Sequence, residues 1–176
     1  VGERASPMET EAEKPLVRVR GLSKRYGRQQ AVCGVDLDIR SGEIYGLIGP
    51  DGAGKSRLMN AIAGVITFDA GSIEVFGIDI DSEKAAERIK DRTGFMPQGL
   101  GQNLYLELSV EENIDFFSGI YRVPNAKKQA RKEWVLDMAG LKEHRHAITS
   151  ALSSGWKQRL ALGCAVLHEP PIIFLD

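Results

Sequence analysis

The residues with the clearest chemical potential form one continuous run, Gly49-Pro50-Asp51-Gly52-Ala53-Gly54-Lys55-Ser56, which fits the spacing G-x-x-x-x-G-K-[ST]. Each position answers a demand set by a polyphosphate. A chain of phosphates carries several negative charges, and main-chain N–H groups wrap it best where glycine-rich backbone can turn them toward one point. A helix starting where the loop ends adds the positive end of its dipole. Lys55 brings a point charge for the terminal phosphates, and the Ser56 hydroxyl can ligate Mg²⁺. With Arg57 directly behind, residues 49–57 make up the candidate phosphate site. A second candidate is Asp176, which closes the apolar run Ile172-Ile173-Phe174-Leu175. A carboxylate at the C-terminal end of a parallel strand suits Mg²⁺. Alone, that pattern is common to many buried strands; beside Lys55-Ser56 it gains chemical meaning.

These groups need elements to hold them. Leu16 to Arg20 and Val32 to Ile39 alternate apolar and polar residues, as half-buried strands do. After the Ser41-Gly42 turn, Ile44-Tyr45-Gly46-Leu47-Ile48 is an almost unbroken apolar run, which predicts a strand covered on both faces. A helix is predicted after Gly54, with Leu58, Met59, Ile62 and Ala63 inward and Gly64 as its stop. A turn at Asp69-Ala70-Gly71, a strand over 72–76, a polar helix over 82–90 and an extended stretch over 93–97 follow. The middle of the chain then turns helical. Ser109 and Glu112 have capping-box spacing, ahead of Val110, Ile114, Phe117 and Tyr121 at helical steps. A second helix is predicted over 125–139, with Ala130, Trp134 and Met138 on one face and Gly140 ending it. A third covers 154–167, with Leu160, Cys164 and Leu167 inward. Strands and helices alternate at both ends around a helical block, the pattern of an α/β fold with a helical insert.

Composition narrows the class. The chain has 176 residues, with 23 Lys+Arg against 24 Asp+Glu, so nothing in its charge favours nucleic acid. Hydrophobic residues at 43% exclude wholesale disorder. Mean hydropathy is −0.20, and no apolar run nears the ~20 residues needed to cross a bilayer. The two cysteines, Cys33 and Cys164, have no metal or disulfide spacing and read as free thiols. Residues 1–15 are polar and lack periodicity, which predicts a disordered lead-in without a secretory signal.

Further segments in the right order make residues 16–176 resemble an ABC-type ATP-binding subunit, a P-loop NTPase. That resemblance implies an antiparallel β subdomain, a parallel core sheet and a helical subdomain at about 98–168. Tyr26, in Ser-Lys-Arg-Tyr-Gly, matches the family's adenine-stacking aromatic. Gln98, in Phe-Met-Pro-Gln, matches the loop glutamine that contacts Mg²⁺ together with Ser56 and Asp176. Leu152-Ser153-Ser154-Gly155-Trp156-Lys157-Gln158-Arg159 is similar to the signature motif, which in the family holds the γ-phosphate of ATP bound to a second subunit. Ser153, Ser154, Gly155 and Trp156 would serve that role. Without the family, the serines read as an ordinary helix N-cap. The implied ligands are ATP and Mg²⁺. The implied partners are a membrane permease and a second ATP-binding domain in a head-to-tail dimer, at the cytoplasmic face of the membrane. The wording around these motifs is similar to daunorubicin-type multidrug efflux ATPases and to ribosome-associated ATPases.

Three departures stand out: Ser154 replaces a signature glycine, Trp156 a signature glutamine, and Arg57 the usual threonine. Serine keeps a donor but adds a Cβ where phosphate comes close. Arg57, one position past Ser56, is expected to point elsewhere, with little effect on Mg²⁺. By the same resemblance Ile172 to Asp176 is the Mg²⁺-binding Walker B strand; the family's glutamate after its aspartate and its switch histidine have no counterpart here, since His144, His146 and His168 all precede that strand. No catalytic base is assigned. The chain is accordingly expected to be a fragment of an ATPase, folding poorly and hydrolysing ATP very slowly by itself. The alternatives are a soluble ribosome-associated ATPase, for which Arg18, Arg20, Lys24, Arg25 and Arg28 could touch RNA, and a nucleotide-binding regulator without catalysis.

Overall fold

The computed structural model describes residues 14–27, 29–99 and 103–176. Most of the predicted lead-in, Arg28 and residues 100–102 lie outside the described residues. The chain divides into two compact units, the first ending at Ile89 and the second spanning Lys90–Asp176.

The first unit is built on an antiparallel sheet. β1 (Val17–Tyr26) pairs with β2 (Gln29–Ile39) on one side and β3 (Ala70–Val75) on the other, and β4 (Ile78–Asp79) extends the β3 edge. Alternation sets its core: Val17, Val19, Ile73 and Val75 are buried opposite one another, while Arg18 and Arg20 point the other way, toward Asp38. β3 starts two residues earlier than the sequence predicts. The Asp69-Ala70-Gly71 stretch joins the ladder at Ser23, and a Cβ on Gly71 (φ +95°) would run into the Arg20 and Gly21 backbone. Helices α1 (Lys55–Ile62) and α2 (Glu83–Lys90) bury Leu58, Ala61 and Ile62, and Ala85, Ala86 and Ile89. Gly64 lets them approach closely, for its Cβ would come within 2.7 Å of the Ala86 methyl.

The strand predicted at Ile44–Ile48 does not form. This stretch runs without secondary structure, with Ile44 fully exposed and Ile48 98% exposed. A strand is stabilised through a neighbouring ladder, and among the described residues no strand pairs with this segment. Ile44 and Ile48 therefore lie uncovered among the described residues, while Leu47 is half-buried.

In the second unit β5 (Thr93–Met96) and β6 (Ile172–Leu175) form a parallel pair, from Thr93 opposite Ile172 to Met96 opposite Leu175. Among the described residues three α-helices, α3 (Val110–Ile120), α4 (Asn125–Met138) and α5 (Ser154–Val166), and two short 3-10 helices, Lys142–His144 and Thr149–Ala151, complete it. Their core contains Ile114, Val135, Leu136, Leu141, Leu160, Cys164 and Leu167. The capping box forms as predicted: the Ser109 main-chain N–H donates to Glu112 Oε2 at 2.8 Å, and the Glu112 N–H donates to Ser109 Oγ at 3.3 Å. Gly94 seats α5 on β5, because a Cβ there would strike the Ala165 carbonyl.

The α4 face marked by Ala130, Trp134 and Met138 is not the buried one. Val135, Leu136 and Ala139 face the core, whereas Trp134 is 43% exposed beneath the Arg131 guanidinium, 4.2 Å from its ring centroid. Arg131 itself is fixed by donating to the carbonyls of Leu167 (2.9 Å) and Val166 (3.1 Å). Among the described residues no helix is long and apolar enough to cross a membrane.

Candidate functional site

Residues 51–54 turn sharply, and the two glycines that make the turn, Gly52 (φ +80°) and Gly54 (φ +87°), lie in the left-handed region. Gly54 is doubly constrained. It caps α1 in that conformation, and a Cβ on it would collide with the Ala31 carbonyl of β2. The loop is closed by the Ala53 N–H donating to the Pro50 carbonyl at 3.2 Å.

From there the chain enters α1, whose ladder includes Leu58 N–H donating to the Gly54 carbonyl at 2.9 Å. The N–H groups of an opening helical turn have no acceptor in their own helix. Lys55 and Ser56 occupy that turn. The Lys55 ammonium folds back along the loop and donates to the carbonyls of Gly49 (2.7 Å) and Pro50 (2.8 Å). A main-chain turn, a helix start and an ammonium thus converge within eight residues. This donor set, with Asp51 as its one acidic side chain, fits a polyphosphate.

Tyr26 stands at the end of β1 with its ring 43% exposed. Two cations flank it: the Arg57 guanidinium at 4.9 Å and the Lys24 ammonium at 5.4 Å from the ring centroid. Arg57 therefore lies against the aromatic that the family resemblance assigns to adenine. Sequence reasoning did not reach this contact, because α1 and the end of β1 are distant in sequence and only the fold brings them together.

The remaining site residues belong to the second unit. Gln98 lies two residues beyond β5 and Asp176 one beyond β6, so both emerge from the same carboxyl end of a parallel pair. The Asp176 N–H continues the ladder by donating to the Met96 carbonyl at 3.0 Å. Ser153 is the N-cap of α5, though its side chain makes no capping bond, and Ser153, Ser154 and Gly155 are all exposed. Trp156 turns inward instead. Its ring lies against Gly140, 5.3 Å from the His144 ring and 5.0 Å from the Arg159 guanidinium. Among the described residues no three His, Cys, Asp or Glu side chains gather as a metal cluster. Ser56 in the first unit offers a hydroxyl oxygen, and Gln98 and Asp176 in the second offer an amide oxygen and a carboxylate, each a donor of the kind a hard cation such as Mg²⁺ takes.

Sequence reasoning also missed Asn113. It is fully buried; its Oδ1 accepts from the Tyr105 N–H at 2.9 Å, and its two amide hydrogens serve acceptors at the Tyr105 carbonyl (2.9 Å), the Ser109 carbonyl (3.1 Å) and Thr149 Oγ1 (2.9 Å), all within reach of Nδ2. The available signal was its position four residues after Ser109, a polar side chain one turn along from the cap.

A mixed fold with this glycine loop at a helix start defines a nucleotide-binding class, and comparison with known proteins makes it specific. The ABC transporter family model matches residues 32–176, and the chain belongs to that family. It is 35% identical over 161 residues to the probable multidrug ABC transporter ATP-binding protein YbhF of Escherichia coli (strain K12), covering 92% of this chain and 27% of that protein. It is 38% identical over 160 residues to the sulfate/thiosulfate import ATP-binding protein CysA of Thermosynechococcus vestitus (strain NIES-2133 / IAM M-273 / BP-1), covering 91% and 46%. Among solved structures it resembles a dimeric ATP-binding cassette in a post-hydrolysis state bound to ADP and Pi, with TM-score 0.77 and 27% identity over 89% of this chain and 72% of that one. The chain spans less than half the length of these two curated relatives.

Proposed function

We propose that this chain binds Mg²⁺·ATP as the ATP-binding part of an ABC transporter, with the main chain of residues 49–57 and the Lys55 ammonium on the phosphates and Tyr26 on the adenine. The observation that carries the reading is the Lys55 ammonium, held at 2.7–2.8 Å within the arc of a loop turned by left-handed glycines. Polyanion binding there uses the main-chain dipoles and the helix start as well as that charge. Ser56 of the first unit, and separately Gln98 and Asp176 of the second, are the oxygen donors we propose for Mg²⁺, which would neutralise charge on the phosphate oxygens.

The second half of the proposal concerns partners. Ser153, Ser154 and Gly155 offer hydroxyl and main-chain donors at a helix N-terminus, the kind of surface that takes the γ-phosphate of ATP held by another subunit. Trp156 would act by fixing that helix start against Gly140. The assembly we propose is a head-to-tail pair of ATP-binding domains on the cytoplasmic side of a membrane permease, with the 98–168 block passing on their motion. We propose export of drug-like molecules, which the multidrug relative's name supports; import, named for the sulfate/thiosulfate relative, is the alternative.

Calorimetric titration of the full-length gene product with Mg²⁺·ATP tests the site. Lys55→Ala is expected to weaken binding at least tenfold. Equal affinity in both proteins would remove Lys55 from the site and overturn the reading.

A further inference from the structure

We infer that Arg57 is a specificity-determining residue of the nucleotide site, a clamp that stacks on the outer face of a base resting on Tyr26. The inference rests on the nucleotide reading above and deepens it. It begins with geometry inside the first unit: the Arg57 guanidinium lies 4.9 Å from the Tyr26 ring centroid, within the range of a cation–π contact.

The second cation near that ring is committed elsewhere. Lys24 Nζ sits 3.4 Å from Asp69 Oδ1, and the Lys24 side chain is largely buried. Arg57 is exposed, and among the described residues no carboxylate lies within ion-pair distance of it. It is therefore the cation near this ring that can move.

Its place along the ligand's path matters as much. A nucleoside triphosphate with phosphates at Lys55 and its base on Tyr26 must span the interval that Arg57 occupies, since Arg57 follows Lys55 by two residues and touches Tyr26. A base stacked on the Tyr26 face that the Arg57 guanidinium covers would displace that guanidinium. Arginine resolves this conflict by moving outward one layer, because its long stem allows the shift and its planar, weakly hydrated head stacks as readily on a base as on tyrosine. The resulting order is Tyr26, base, Arg57. Threonine, which the family pattern has at this position, has neither the reach nor the plane. The consequence is a site whose affinity depends on the base more strongly than Tyr26 alone would make it, with larger purines favoured over pyrimidines.

Calorimetric titrations of the full chain with Mg²⁺·ATP, Mg²⁺·CTP and inorganic tripolyphosphate separate the possibilities. For Arg57→Thr we expect ATP affinity to fall about fivefold, the ATP-to-CTP ratio to shrink, and tripolyphosphate affinity to change less than about twofold. Arg57→Lys, which keeps the charge without the plane, should resemble Arg57→Thr for ATP. Unchanged or tighter ATP binding by Arg57→Thr would overturn the clamp, showing that the guanidinium only obstructs the ring. An equal loss for ATP and tripolyphosphate would also overturn it, placing Arg57 on the phosphates. A wild-type chain that binds none of the three would instead sink the nucleotide reading itself. Thermal melts of each variant establish that it is folded, as expected for a change at an exposed position.

Discussion

Asn113 is the side chain on which the second unit's local order turns. Its amide satisfies both the N–H and the carbonyl of Tyr105, and it reaches Thr149, which is likewise fully buried. Replacing it with leucine keeps the volume but strands those groups away from water. Each buried unsatisfied group costs about 1–3 kcal/mol. We expect Asn113→Leu to lower unfolding free energy by about 2–4 kcal/mol in urea denaturation; a loss below about 0.5 kcal/mol would mean water replaces the amide. Gly54 carries a different constraint at the same scale. Gly54→Ala combines a left-handed φ with a Cβ driven into the Ala31 carbonyl. Nucleotide binding should fall at least tenfold, read by calorimetry, while Gly119→Ala, in α3 at a position with no positive φ and open space around the missing Cβ, should leave it near wild type.

At the scale of elements, local rules and tertiary rules part company. The capping box at Ser109 was legible because it needs four consecutive residues and nothing else. Hydrogen bonding from Ser109, first by its side chain and then by its main-chain N–H, holds the Glu112 carboxyl below its usual range. Ser109→Ala should cost about 1 kcal/mol of stability, measured by chemical denaturation, and an unchanged midpoint would show the cap to be redundant. The glycine loop and its helix were legible for the same local reason. The Ile44–Ile48 strand was not, since a run of apolar residues states a preference for burial and says nothing about whether a partner ladder is present. The α4 face was misjudged because Trp134 looks apolar in sequence, whereas Arg131 gives it a cationic roof that only the fold supplies. Arg57 on Tyr26 was invisible on the same grounds: the contact joins two elements that share no local pattern.

For the molecule as a whole, pH is the most direct probe. His168 stacks on Tyr121, with ring centroids 3.9 Å apart and planes 12° from parallel, and its Nε2 lies 3.2 Å from the Thr93 carbonyl. Burial pushes its imidazole below the ordinary value of 6.5; the Thr93 hydrogen bond and Asp91 oppose that shift, and Arg131 reinforces it. The unfolded chain therefore binds more protons than the folded one between the two values, so stability declines as pH falls below about 6.5 and goes on declining until the folded imidazole titrates. Glu112 acts in a lower window: its share is present above about 4.5 and is lost as pH drops through its depressed folded value. Urea midpoints at pH 7.5 and 5.5 should differ less for His168→Gln than for wild type. An identical difference would show that His168 is not the linked proton.

The bare stretch from Ile44 to Ile48 has a consequence beyond the single chain. Five mostly hydrophobic residues that join no ladder among the described residues are the raw material of sheet-to-sheet adhesion between molecules. Concentrated samples should scatter light progressively, and a lysine at position 44, acting as an electrostatic bumper, should keep them clear.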